Sequence, residues 1–561
     1  MPTTAAPLSS PLPVPLAASL PSTARLPRTV RALRAVPLPR RPAALAWGLA
    51  TGFAALYSCV AVNRHRRGLT KAYDLGIFEQ AVRAYAHGRE PIAPLKAPGY
   101  DLLGDHFHPL IAVLAPAYRA FPSPLTLVVA QALLMAVAVV PLTRWAHQVA
   151  GPRVALLVGC ATGASWGIVR AAADDFHEIA FAVPLLAFAT TALGRRRPLA
   201  AALWSLPLLL VKEDLGLTVA AVGLLIAWQA RQDRRTPLPG LVLAAVGVAA
   251  TALTLLVVLP AFNPSGDFDY WQQLDGGGHS PLRTLPLRLG WPPVKWLLLF
   301  LLAATTGFLG LRSPLILLCA PTLAWRLLST NPHYWGVSYH YSAVLMPIVF
   351  AALVDVLRRT APAGSPDTVP GTDTVHRTDT AEGTDTVHRT DTAEGTDTVH
   401  RTDTVHRTAP ETHPAPAATS VASATPNRRT TPRVRRALAV TALVTVVTLP
   451  LYPLHEVVMP EAWSTSPRLT ETRAMLRLIP DDASVAASNR LAAQLTGRAD
   501  VTLVCREPVG PGPQWVAVDL HDPSVQSPCA TAATARMLAA YRNHGYQRLV
   551  DQDGLVLLKR P

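Results

Sequence analysis

LPGLVLAAVGVAATALTLLVVLPAF, residues 238–262, runs for 25 positions without a charge. About 20 apolar residues in a helix cross a hydrocarbon core of about 30 Å, so this stretch is long enough to span a bilayer. LTLVVAQALLMAVAVVPLT, residues 125–143, repeats the pattern. One such run could be the buried helix of a soluble enzyme, but here it recurs along the chain. The 561 residues are 50% apolar and only 16% charged, against about 25% charged in ordinary soluble domains. Eleven apolar segments fall near residues 43–62, 124–145, 153–171, 179–194, 198–212, 215–230, 238–260, 294–311, 313–328, 341–357 and 437–453. The expected fold class is mainly α, a polytopic membrane helix bundle. Residues 109–121 are interrupted by Pro116 and Arg119 and read as a re-entrant or interfacial piece.

The net charge of +15 does not point to nucleic acid, because the basic residues sit in short clusters between apolar runs. Loop clusters of Lys and Arg mark the cytoplasmic side. With the N-terminus inside, Arg195–Arg197, Arg231–Arg235, Arg358–Arg359 and Arg428–Arg436 all fall inside, and eleven crossings put the C-terminus outside. RHRR at residues 64–67 is the one cluster on the wrong side. The expected location is a bacterial plasma membrane, with the N-terminus cytoplasmic and the C-terminus extracytoplasmic.

Outside the bundle at 42–360, four further regions are expected. Residues 1–41, rich in Pro, Ser and Arg, read as a disordered cytoplasmic tail. Residues 361–436 form a low-complexity cytoplasmic linker in which GTDTVHRTDTAE starts at Gly371 and again at Gly383. Its repeats lack the apolar side chains needed to bury a core. Residues 437–453 are the last span. Residues 454–561 read as a small extracytoplasmic α/β domain: a helix near 467–480, strands in ASVAAS, VTLVC and WVAVDL, a second helix ended by Gly545, and a terminal hairpin turning at Asp553–Gly554. Cys59, Cys160 and Cys319 lie in apolar surroundings and read as packing residues; Cys505 and Cys529 lie in the outer domain, where a disulfide and two free thiols both remain open.

Five polar motifs stand out, and the topology sends all of them to the outer face. YDLGIFEQAVRAYAHG, from Tyr73, has an apolar helical face and reads as an amphipathic helix on the membrane. Asp74 is either its N-cap or a general base. GDHFHP supplies Asp105, His106 and His108; DDFHE supplies Asp174, Asp175, His177 and Glu178. These groups form either a hydrogen-bonded network or the ligands of a divalent cation, and no tight metal spacing decides between them. KED, Lys212, Glu213 and Asp214, places three ionisable groups between apolar runs, where they are functional candidates or a short paired turn. HYWGVSYHY ends in His340 as a span begins, beyond what an aromatic belt explains.

YDLGIFEQ, GDHFHP, DDFHE, VKEDLG and YHYSAVLMP, in this order, resemble an uncharacterised family of predicted bacterial multi-pass membrane proteins, a domain of unknown function. The resemblance covers about residues 45–360 and the tail IPDDASVAASNRLAAQLTGR, where Gln494 stands in place of an expected His. That family in turn looks like the GT-C class of membrane glycosyltransferases, and the likeness is architectural. It implies transfer of a sugar from a polyprenyl-phosphate carrier, with Asp74 in the position of the class's acid. Lys212, His340 or a cation would then face the departing phosphate, and the DDFHE residues would orient sugar or phosphate. The alternative is a non-catalytic membrane protein that transports or presents a lipid or envelope component. The expected partners are membrane lipid and a polyprenyl-phosphate sugar.

Overall fold

The computed structural model describes residues 41–268, 270, 289–360, 431–506, 512–522 and 528–561. The N-terminal tail and nearly all of the repeat linker lie outside the described residues. Among these residues, helices dominate up to Leu451. Five are long and apolar enough to cross a membrane: Pro42–Arg66, Pro124–Ala150, Leu238–Phe262, His340–Arg359 and Pro432–Leu451. Pro152–Gly163 and Trp166–Ala172 add a sixth if the pair, bent by 47°, is one span. The other five expected positions hold helices that are shorter or end in polar residues, among them Glu178–Gly194, Pro198–Leu210 and Leu215–Gln232. Residues 109–120 form a short, irregular helical piece, as Pro116 and Arg119 suggest.

Burial sorts these helices into a centre and a periphery. The apolar stretch of His340–Arg359 is 94% buried, whereas those of Leu238–Phe262 and Pro432–Leu451 are only 28% and 22% buried. Their outward Leu and Val side chains form an apolar surface that suits hydrocarbon rather than water. The buried hydroxyls of Thr143, Thr162 and Thr190 donate to the carbonyl four residues earlier, which satisfies these three donors within their own helices. Helices Leu215–Gln232 and Leu238–Leu253 run antiparallel with their backbones in close approach. A Cβ on Gly223 would lie 2.5 Å from the Ala244 amide nitrogen, and one on Gly240 would lie 2.4 Å from that of Ala227. Small residues permit this approach where there is no hydrophobic force between helices to exploit.

After Leu451 the chain builds a five-stranded mixed sheet in the order β2-β1-β3-β5-β4. β1 (Ser484–Ala487) lies parallel to both β2 (Asp500–Leu503) and β3 (Trp515–Asp519). β5 (Leu555–Lys559) runs antiparallel to β3 and forms a hairpin with β4 (Gln547–Gln552). The hairpin turns at Asp553 and Gly554, both with positive φ, the conformation this dipeptide favours. Helix Pro467–Leu476 precedes β1, and helix Thr531–Asn543 connects β3 to β4. Cys505 and Cys529 form a disulfide with their Cα atoms 5.6 Å apart.

Candidate functional site

Gly68, with φ 67°, turns the chain out of the first span and begins the loop that carries Asp74. The segment Ala72–Gly76 is a single π-helical turn that leads into helix Ile77–Ala86. Asp74 caps nothing: no side chain caps either element. Gly76 is required by crowding, because a Cβ there would lie 2.8 Å from Leu95 Cδ1. The helix does not lie on lipid as its apolar face suggested. Leu75, Ile77, Phe78, Ala81 and Val82 are buried in protein, and its polar edge docks on the sheet-bearing part. Gln80 Nε2 donates to the Val501 carbonyl at 2.9 Å, and Arg83 donates to the Thr496 carbonyl at 3.1 Å and to Asp500 at 2.9 Å. Two further ties hold the loop: the Tyr73 amide donates to Asn489 Oδ1 at 3.0 Å, and Gln494 donates to the His65 carbonyl at 3.1 Å. Within the helix, burial pushes the Glu79 carboxyl up to about 7, while the Tyr118 hydroxyl donates to it at 2.7 Å.

Asp174, Asp175 and His177 of DDFHE lie in the non-helical break after Trp166–Ala172, and Glu178 opens the next helix, Glu178–Gly194. Gln131, a single amide inside an apolar helix, holds this break open. Its Nε2 donates to the carbonyls of Ala171 at 2.8 Å and Asp175 at 3.1 Å, and its Oε1 accepts from the His177 amide at 3.0 Å. The break thereby meets the Asp74 loop. The Lys71 amide donates to Asp175 Oδ1 at 2.9 Å, and Lys71 Nζ lies 3.4 Å from Asp175 and 3.8 Å from Asp74. His177 Nε2 lies 3.4 Å from Asp74 Oδ1, inside ion-pair range but outside hydrogen-bond geometry. Asp174 is buried beside them and makes no side-chain hydrogen bond among the described residues.

Electrostatics follows from this arrangement. Burial opposes a charged imidazole at His177, but the Asp74 carboxylate outweighs it and pushes the ring up to about 9. Burial likewise opposes ionisation of Asp74, and the His177 and Lys71 charges reverse that effect and hold it below the usual carboxylate range. Asp175 is pushed up, because burial there outweighs the pull of Lys71.

The remaining motifs join the same network. Lys212 Nζ pairs with Glu178 at 2.6 Å. Glu213 accepts from His106 Nδ1 at 2.8 Å and from the Phe107 amide at 3.2 Å. Asp214 accepts from the Trp325 indole at 2.8 Å. Asp105 pairs with Lys96 at 2.7 Å and accepts from the Tyr270 hydroxyl at 3.1 Å, and His106 stacks on the Tyr270 ring at 4.6 Å. Lys96 also lies over the ring of Tyr73, 5.5 Å from its centroid. The His340 ring lies against that of His177, tilted by 33° with the centroids 3.5 Å apart. His108 stands aside, edge-on to Phe78, and burial lowers it to about 4, so it is neutral.

All five motifs thus meet, through partners that the sequence reading did not single out: Lys71, Lys96, Gln131, Tyr270 and Trp325. Gln131 alone carried a visible signal, an amide in a charge-free run. Beside the network, Lys212, Asp214, Thr322, Trp325, His340 and Tyr341 line a cavity of about 20 Å³, room for about one water. Among the described residues, no three His, Cys, Asp or Glu side chains are arranged to hold a metal ion.

No curated protein and no solved structure matches the chain. A family described as "Predicted membrane protein (DUF2079)" matches residues 64–372 and 416–557, which contain every motif of the network as well as the sheet. The matched residues make up well over half of the sequence, and the chain belongs to this family of predicted membrane proteins.

Proposed function

We propose that this membrane protein is a GT-C-like glycosyltransferase that takes a sugar from a polyprenyl-phosphate donor, with Asp74 as the base for the acceptor hydroxyl. The exposure of Asp74 carries the reading. Its side chain is 37% exposed, whereas those of Asp105, Asp175, Glu178 and Glu213 are 11%, 2%, 3% and 5% exposed. A general base must be ionised and open to the group whose proton it takes; the lowered pKa and the exposure of Asp74 support that role. In this reading the protein crosses the membrane eleven times, with its N-terminus inside and its sheet outside. RHRR is reconciled with that orientation by its contacts: Arg64 pairs with Glu456, and Arg473 donates to the Arg66 carbonyl. In this reading the Arg64 charge is spent on Glu456 and does not mark the cytoplasm.

The pairing of Lys212 with Glu178 changes the proposed division of labour. A neutralised ammonium is a weak clamp for a departing phosphate, which leaves His340 or an added cation for that task. The second reading is a non-catalytic protein that carries or presents a lipid; it needs no sugar-phosphate site beside the network, where the cavity has room for about one water. The discriminating experiment reconstitutes the full chain in liposomes with radiolabelled polyprenyl-phosphate sugars and an envelope acceptor fraction. Wild type is expected to transfer label, and Asp74→Asn to lose about 10²- to 10⁴-fold of that rate. Full activity in Asp74→Asn rejects the base, and wild-type protein inert with every donor favours the second reading.

A further inference from the structure

A separate groove of about 410 Å³ opens where the first span ends beneath the sheet-bearing part. We infer that this groove binds the phosphate of an anionic membrane lipid, independently of the Asp74 network. Its walls come from two places. Val62, Arg66 and Arg67 belong to the end of helix Pro42–Arg66 and the residue after it; Trp463, Leu469 and Arg473 belong to the segment after the last span. Three guanidinium groups line it and no carboxylate does. Arg67 lies at the edge of ion-pair range of Glu456, 3.9 Å away, and Arg473 spends one donor on the Arg66 carbonyl. The exposed Arg66 side chain makes no hydrogen bond or ion pair among the described residues. Guanidinium forks match phosphate oxygens, and a site with spare donors and uncompensated positive charge favours an anion.

The approach to the groove indicates a lipid source. Leu56, Cys59, Val62 and Arg66 follow one another at helical spacing on the first span, and Leu56, Cys59 and Arg66 are exposed. The lower part of this stripe is apolar and the upper end is cationic. An acyl chain laid along Leu56, Cys59 and Val62 would bring its phosphate to Arg66 and Arg473. Trp463 at the rim is half exposed, with its indole donating to the Val457 carbonyl, the placement of an aromatic side chain at a membrane interface.

The test uses the full chain in detergent, equilibrated with equal amounts of phosphatidylglycerol and phosphatidylcholine, then separated by gel filtration and assayed for retained lipid. Wild type is expected to retain phosphatidylglycerol preferentially. Arg66→Gln removes no intramolecular contact and is expected to weaken that retention by about tenfold, the effect of losing one charge-assisted contact. Thr465→Glu, which places a carboxylate in the exposed lining, is expected to weaken it as well. Equal retention of the two lipids by wild type, or unchanged retention in both variants, overturns the proposal. Inorganic phosphate at the same concentration is expected to leave the lipid bound; displacement by it would overturn the lipid source and assign the groove to soluble phosphate.

Discussion

Asp74 and His177 are 103 positions apart in the sequence, yet each sets the charge state of the other. The His177 pKa rises from 6.5 to about 9 in the folded protein. The folded state therefore holds the proton more tightly than the unfolded state. The stabilisation is fully present below pH 6.5 and is lost as pH rises through about 9. Thermal unfolding of wild type is expected to show a fall in melting temperature that begins near pH 6.5 and is complete near pH 9, and His177→Gln to lack it. If His177→Gln keeps the same alkaline fall, the pair is not its source. The motif residues were legible in the sequence because ionisable groups are rare in apolar surroundings. Their partners were less so: Lys71 and Lys96 lie in polar loops, where a lysine is unremarkable until a carboxylate folds onto it.

At the level of elements, helix Ile77–Ala86 shows where a periodic pattern leads astray. Its apolar stripe predicts a buried face but cannot say whether lipid or protein buries it. Gln80 and Arg83 decide the matter by bonding to the strand-and-turn region at 496–501. The strands and the hairpin were read correctly because alternation and Asp-Gly turns are local signals. The glycine-packed pair Leu215–Gln232 and Leu238–Leu253 supports a sharper expectation. Gly240→Val would drive a branched side chain into the backbone of the facing helix and should destabilise the protein by about 1–3 kcal/mol. Gly52→Ala, inside helix Pro42–Arg66 where an added Cβ meets nothing within 4 Å, should instead stabilise the protein by about 0.5–1 kcal/mol through helix preference. Melting of the two purified variants in detergent checks the contrast, and equal melting temperatures would remove the close-packing argument.

Across the whole molecule, the helix Pro432–Leu451 separates the repeat linker from the sheet-bearing part. A reporter inserted after residue 400 and one fused at the C-terminus should therefore read opposite sides of the membrane, the first cytoplasmic. The same side for both would mean that this helix does not cross. The sheet-bearing part is more than an appendage, since Asn489, Gln494, Thr496 and Val501 all hold the loop and helix around Asp74. It also meets the end of the first span, where Arg64 pairs with Glu456 and Arg473 donates to the Arg66 carbonyl.

Residence in a membrane, family membership, the polar motifs and the order of helices and strands near the C-terminus were all determined by sequence alone. Family membership rests on the ordered motifs, and the others on composition or short-range periodicity; a linear chain displays all of these directly. Tertiary structure decided which charges neutralise one another, that Asp74 is the accessible carboxylate of the paired network, and that Cys505 meets Cys529. Those outcomes rest on contacts between residues 34 positions apart at Lys212–Glu178 and 107 apart at His106–Glu213. Coulombic attraction and desolvation depend on distance in space, and only the folded chain sets that distance.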